Sequence, residues 1–233
     1  MPKSNPELFT KGTLVYQEFL DKVGLPASQA EIDLFVSEAC RQYGLSREMI
    51  IDALQPIFTD ANNYIGARLI GISKGGTKTA EDFEKSVAKI FEIEFGYQGT
   101  EWTGRRQRAG LGGYMDVFVV EAGRNLCGII DTKSTNSYDL PHQDVTKAIS
   151  TYIDNASELY GSRNLDLAFV GYVSHLISEG AATRAREISN LKKVPVSLIS
   201  AYGLNSLRHE FAGRGRPDLI TDRLTANPVN LFT

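Results

Sequence analysis

Apolar residues recur along this chain in two rhythms, and the change from one to the other divides it. Up to about residue 72 the spacing is helical throughout. Gly12–Val23 carries Leu14, Phe19 and Leu20 and runs into Gly24, a common helix stop. Ser28-Gln29-Ala30-Glu31 is a capping box, in which a hydroxyl and a carboxylate satisfy each other's orphan backbone donors. It predicts a helix over Ala30–Tyr43, with Ile32, Phe35, Val36 and Ala39 on one face and Gly44 just beyond the end. Ser46 opens a third helix (Met49, Ile50, Leu54) that Pro56 interrupts or kinks, and Asp60–Leu69 makes a fourth. No strand pattern occurs here, so residues 1–72 read as a helical module for docking or accessory use.

Beyond it the rhythm alternates between helix and strand. Gly71–Thr79, rich in Gly, Lys and Thr, reads as a linker. Thr79 is placed to cap a helix over Ala80–Phe95, with Phe83, Val87, Ile90 and Phe91 on its apolar face. A hairpin comes next: Tyr114–Glu121 is one β-branched and aromatic run, Ala122–Asn125 a turn, and Leu126–Lys133 a second run. A helix from near Pro141 to Leu159 precedes Leu165–Ser174, whose nearly unbroken apolar character marks a strand buried on both faces. Glu179–Leu191 reads as helix, Val194–Ser200 as strand and Leu204–Phe211 as a last short helix. Residues 213–233, rich in Gly, Pro and Asn, read as a tail. The order from residue 80 onward implies an α/β domain over 73–212, a central mixed sheet with helices on both faces.

Charge changes the picture in one respect. The chain carries a net charge of −3, which argues against bulk coating of nucleic acid. Residues 1–72 hold 6 basic and 9 acidic side chains, and residues 73–233 hold 19 of each, so the acidity lies in the helical module. Basic groups concentrate instead in the loop Thr100–Gly113, where Arg105, Arg106 and Arg108 sit among glycines just before the hairpin. They are candidates for gripping a phosphate backbone, with Lys74 and Lys78 as lesser ones. Composition is ordinary for a globular protein, at 42% hydrophobic and 23% charged. No run is long and apolar enough for a membrane span, and MPKSNPELFTKG lacks the apolar core of a signal peptide. Two isolated cysteines, Cys40 and Cys127, make no disulfide framework, so a cytoplasmic location is expected.

The chemistry concentrates in the hairpin. Asp116, Asp131 and Lys133 are ionisable groups placed where apolar strands begin or end. Asp131 and Lys133 are two apart on one strand and share a face, about 6–7 Å apart along it. Asp116 opens the neighbouring strand at the same sheet end. Asp116, Asp131 and the Thr132 backbone carbonyl could hold Mg²⁺, with Mn²⁺ as a substitute, because Mg²⁺ keeps most of its waters and needs few carboxylates. Lys133 would orient a water and offset charge on a phosphate. Glu84, in the first turn of the preceding helix, could reach the same place, through a water or toward a second metal. His142, His175 and His209 have no metal-ligand spacing and read as ordinary histidines, and no GxSxG, HExxH or P-loop pattern occurs.

Five features in order make a more specific signature than the bare triad. They are Phe83-Glu84 on a helix, Gly96-Tyr97-Gln98-Gly99, the basic loop, Asp116 with Asp131-Thr132-Lys133 after it, and Ser137-Tyr138-Asp139-Leu140-Pro141. Over roughly Ala80–Phe211 the chain resembles the FokI-type cleavage domain of type IIS restriction endonucleases, in the PD-(D/E)XK nuclease superfamily. The resemblance implies a restriction-endonuclease-like sheet and a metal-dependent DNA endonuclease. Asp116, Asp131 and Lys133 would be metal-binding and catalytic, and Glu84 would match the superfamily's helical glutamate. It also implies double-stranded DNA as partner, with a separate recognition domain or subunit or a transient dimer on DNA. Met115 stands where the family carries Pro. The helix over 142–159 lacks the family's Asp/Arg pair at four-residue spacing, so pairing through that contact does not carry over. Two rival readings are a repair, recombination or transposition nuclease of the same superfamily, and a catalytically silent DNA-binding scaffold.

Overall fold

The computed structural model describes residues 6–59, 61–103, 113–161, 164–211 and 215–233. It divides into two compact units, Met1–Ile65 and Gly66–Thr233. In the first, helices α1 (Pro6–Lys22), α2 (Gln29–Tyr43) and α3 (Arg47–Thr59) pack on one another. Phe19 and Phe35 meet edge to face at 5.2 Å, beside the fully buried Val15, Ile50 and Leu54. The capping box forms as its residue types require: Glu31 N–H donates to Ser28 Oγ, and Ser28 N–H donates to the Glu31 carboxylate. Gly44 ends α2 in the left-handed conformation that glycine tolerates. Pro56 lies inside α3 without ending it.

Helix α4 (Ala61–Ser73) continues into the start of the stretch expected as linker, and a short 3₁₀ turn over Gly76–Lys78 comes after it. The expected Thr79 cap does not form. The Thr79 hydroxyl donates instead to the Ile72 carbonyl at 2.6 Å, and Ser134 Oγ donates to the same carbonyl at 2.8 Å. That chain turn is thereby tied to the end of the second hairpin strand. Helix α5 (Ala80–Lys89) runs on through a π-helical turn, Ile90–Glu94.

Among the described residues six strands form one mixed sheet in chain order: β1 (Glu101–Trp102), β2 (Val117–Glu121), β3 (Leu126–Lys133), β4 (Asp166–Ser174), β5 (Val196–Ser200) and β6 (Val229–Phe232). β1, β2 and β3 pair antiparallel, and β3 to β6 pair parallel. Helices α6 (His142–Lys147) and α7 (Ile153–Tyr160), joined by a π turn over Ala148–Tyr152, cross from β3 to β4. Helix α8 (Ala181–Lys192) crosses from β4 to β5. These helices bury Val145, Ala148, Ile153, Ala185 and Ile188 against one sheet face, made by Phe118, Val120, Cys127, Ile129, Val170, Tyr172, Val196 and Leu198. Strand alternation puts Val117, Val119, Ile130, Val173 and Ile199 on the other face, all buried, where α5, α9 (Ala201–Phe211) and α10 (Pro217–Thr225) pack.

Residues 217–232 correct the expected tail. Pro217 opens α10 at a position where proline is favoured, and the chain then returns as β6 beside β5. Asn230 closes this return, donating to the carbonyls of Leu224 and Asn227 while accepting from the Asn227 N–H. Strand β1 is the other element not expected from the sequence, and two residues are too few to show a period.

Candidate active site

Strand register assembles the candidate residues. β2 and β3 pair antiparallel with Val117 opposite Ile130, so one step further Asp116 stands opposite Asp131. β3 and β4 pair parallel with Asp131 beside Tyr172. Residues opposite one another on neighbouring strands share a face. Asp116, Asp131 and Tyr172 therefore form a row across three strands on the α6–α8 side, at the carboxyl ends of the parallel strands. Open α/β sheets bind ligands at those strand ends.

Both carboxylates are buried, Asp116 at 7% and Asp131 at 3% exposure. Asp116 Oδ2 accepts from the Thr132 N–H at 2.7 Å and from Thr132 Oγ1 at 3.0 Å, so Thr132 fixes it from the neighbouring strand. Lys133 Nζ donates to Asp131 Oδ1 at 3.1 Å and lies 2.9 Å from Oδ2. Oδ2 receives no well-directed hydrogen bond among the described residues. Burial, then the Asp131 charge, then Glu84 push the Asp116 carboxyl well above the usual carboxylate range. Burial alone would pull Lys133 down. The Asp131 carboxylate, with Asp144 and Asp116 behind it, overcomes that and holds the ammonium above its ordinary value. At neutral pH Lys133 is thus a fixed cation and a hydrogen-bond donor.

Glu84 is half-buried on α5, and its Oε2 accepts from Trp102 Nε1 at 2.8 Å. Lys85 lies over the same indole at 4.6 Å. Glu84 is close enough to influence Asp116 electrostatically, but its carboxylate rests on β1. Among the described residues no three acidic, His or Cys side chains gather as a metal-holding group by themselves. Arg105, Arg106 and Arg108 lie outside the described residues. The flanks of that stretch are fixed at the site: Thr103 N–H donates to the Asp116 carbonyl at 2.7 Å, Thr103 Oγ1 donates to the Met115 carbonyl, and Asn155 Nδ2 donates to the Gly113 carbonyl at 3.0 Å. Lys74 and Lys78 are exposed. His142 and His209 are exposed too, and His175 Nδ1 is 2.9 Å from Ser73 Oγ.

Four further residues line the site without having been read from the sequence as part of it. Asp144, buried in the first turn of α6, places Oδ2 3.9 Å from Lys133 Nζ and accepts from the Tyr138 hydroxyl at 2.8 Å. The Tyr172 hydroxyl is buried with no hydrogen-bond partner among the described residues. Tyr152, in the π turn, is pushed up to about 12, by burial first and the Asp131 charge second. A π turn adds a residue to the helical repeat and so rotates the later side chains about the axis by about 100°. A signal for Asp144 existed, a carboxylate directly before Val145 in an apolar stripe. Tyr172 could be placed only once β4 was known to lie beside β3.

A mixed sheet flanked by helices, carrying two facing carboxylates and a lysine at one strand end, defines a restriction-endonuclease-like α/β domain. The family model described as FokI, cleavage domain, matches residues 44–217, and the chain belongs to that family. Two solved structures share the fold. The structure of restriction endonuclease FokI matches with a TM-score of 0.59 and 11% identity, and that of FokI bound to DNA with 0.57 and 12%. Each match covers 100% of this chain and 50% of the other, so the chain spans half the length of those proteins. A search of curated proteins returned no match.

Proposed function

We propose that this chain is the catalytic part of a metal-dependent DNA endonuclease of the type IIS restriction class, hydrolysing phosphodiester bonds in double-stranded DNA. One observation carries the reading: two buried carboxylates face each other across β2 and β3 with the Lys133 ammonium alongside, in a member of the FokI cleavage-domain family. The donor set fits a hard divalent cation. Asp116 and Asp131 face each other in a dry site, and Asp131 Oδ2, in ion-pair contact with Lys133, accepts no well-directed hydrogen bond among the described residues. Two carboxylates and the Thr132 carbonyl suit Mg²⁺, which retains several waters, and Mn²⁺ as its substitute. Bound there, the cation would supply Lewis acidity and lower the pKa of a water.

The remaining work falls to the chain's own groups. Lys133, held as an ammonium, offsets negative charge building on the phosphate oxygens and donates to the attacking water. Thr132 keeps Asp116 in one rotamer, so the facing carboxylate geometry exists before substrate arrives. Glu84 is the proposed holder of a further water, and Arg105, Arg106 and Arg108 are the proposed backbone grips. Recognition of a DNA address would come from a further domain or subunit. Cutting both strands would need a second copy, paired transiently on DNA.

The test is cleavage of supercoiled plasmid with Mg²⁺ or Mn²⁺, with Asp131→Ala and Lys133→Ala as controls. Nicked or linear product that disappears in both variants is the expected result. A protein that binds the cation yet never cuts, even tethered to a DNA-binding partner, would sink the reading.

A further inference from the structure

We propose that Asp144 is a positioning residue for Lys133, clamping the ammonium against Asp131 from the helix side, with Tyr138 fixing Asp144 in turn. The inference rests on the nuclease reading above. Its starting point is a charge in an expensive place. The Asp144 side chain is only 8% exposed, between the buried Leu140 and Val145. A carboxylate is retained in such surroundings only with partners. Its Oδ2 has two, the Tyr138 hydroxyl at 2.8 Å and Lys133 Nζ at 3.9 Å. On the solvent side Lys147 Nζ is 3.8 Å from Oδ1, but its own side chain is 55% exposed, so that pair is screened.

The chain between β3 and α6 is shaped to deliver this carboxylate. Tyr138 N–H donates to the Leu176 carbonyl at 2.9 Å and the Tyr138 carbonyl accepts from Ser178 N–H at 3.0 Å, a bridge that pins the loop beside the end of β4. Leu140 then takes a left-handed conformation, φ 52°, while fully buried. A branched apolar side chain adopts that conformation only where its surroundings impose it. The Tyr138 and Tyr172 rings lie 6.0 Å apart, so the tyrosine that holds Asp144 packs against the residue beside Asp131.

Lys133 needs a second carboxylate because of what Asp131 is asked to do. A carboxylate that gives its lone pairs to a cation is a poor counter-charge for an ammonium next to it. Asp144 is the acid that stays with the lysine, and it restricts a flexible four-carbon stem whose freedom would otherwise dilute the productive geometry.

The experiment has two arms, run on wild type, Asp144→Asn, Tyr138→Phe, Lys133→Met and the Lys133→Met/Asp144→Asn double variant, with folding monitored by circular dichroism. In the first arm, single-turnover cleavage at saturating DNA falls about 10- to 100-fold in Asp144→Asn, as for other residues that orient a catalytic group. The half-saturating DNA concentration stays unchanged, and Tyr138→Phe loses less in the same direction. In the second arm, urea unfolding of the metal-free proteins, Asp144→Asn lowers the midpoint while Lys133 is present. In the Lys133→Met background it leaves the midpoint unchanged or raises it, because Asp131 and Asp144 then lack the ammonium they share. Equal midpoint shifts in both backgrounds, unchanged cleavage, or a loss of DNA affinity in place of rate would overturn the proposal. If the wild type binds DNA and cation but never cleaves, the nuclease reading falls, and the urea arm alone decides whether the clamp on Lys133 stands.

Discussion

Two carboxylates cannot share a dry sheet end unless a cation or a proton lies between them. Without a cation, burial and the neighbouring Asp131 raise the proton affinity of Asp116 well above that of an ordinary carboxylate. The unfolded chain releases that proton near the ordinary value. From there up to the folded value, the native state holds a proton that the unfolded state has lost. Stability therefore falls as pH rises across that window, by about 1.4 kcal/mol per pH unit. In EDTA the wild type should melt lower at about pH 8 than at about pH 5.5, and Asp116→Asn should flatten the difference. The amide carries no charge, and its carbonyl oxygen can still accept from the Thr132 N–H and hydroxyl. Asp116→Ala strands both donors and should cost about 1–3 kcal/mol instead. Added Mg²⁺ should raise the wild-type melting temperature and leave Asp116→Asn unmoved. Scanning fluorimetry at the two pH values decides it, and an identical pH response in wild type and Asp116→Asn would refute the account.

At the level of elements, what the sequence made legible was whatever repeats locally. The capping box at Ser28, the hairpin turn before Leu126 and the buried run in β4 each signal their own structure within a few residues. Asp116, Asp131 and Lys133 were legible for the same reason, as charges interrupting apolar strands, and sheet register brings them together. Three things depend on distant partners and were not legible. Thr79 abandons its cap for the Ile72 carbonyl, Glu84 lies against Trp102, and the apparent tail becomes α10 and β6. Asn227, Pro228 and Asn230 have turn composition, yet the sheet edge at β5 recruits the residues that follow Pro228 as a strand. Because the Asn230 side chain makes four hydrogen bonds across that return, Asn230→Ala should destabilise the fold by about 2–3 kcal/mol. Urea midpoints measure this, and specific cleavage activity below the unfolding transition should stay at the wild-type level. A variant as stable as the wild type would return residues 217–233 to the status of an appendage.

For the whole molecule, stoichiometry is the sharpest consequence of the site. Among the described residues one pair of facing carboxylates with an adjacent lysine occurs at one sheet end, which under the proposed function would serve one scissile phosphate at a time. The two strands of a duplex are antiparallel, so a centre positioned on one strand meets the other only after the chain turns over or a second chain arrives in the two-fold related orientation. Net charge sharpens the point. At −3 overall the chain has little bulk attraction for DNA, so under the proposed function a single copy should leave the duplex readily between cuts, more so at higher salt. Nicking should therefore rise in proportion to protein concentration, while linearisation rises with its square and lags behind the nicked intermediate. Mixing separates pairing from sequential visits. Excess Asp131→Ala protein, which fills the partner position without cutting, should suppress linear product while nicks continue to accumulate. Linear product appearing directly, first-order in protein and indifferent to the inactive variant, would mean that one chain cuts both strands and that the pairing proposal is wrong.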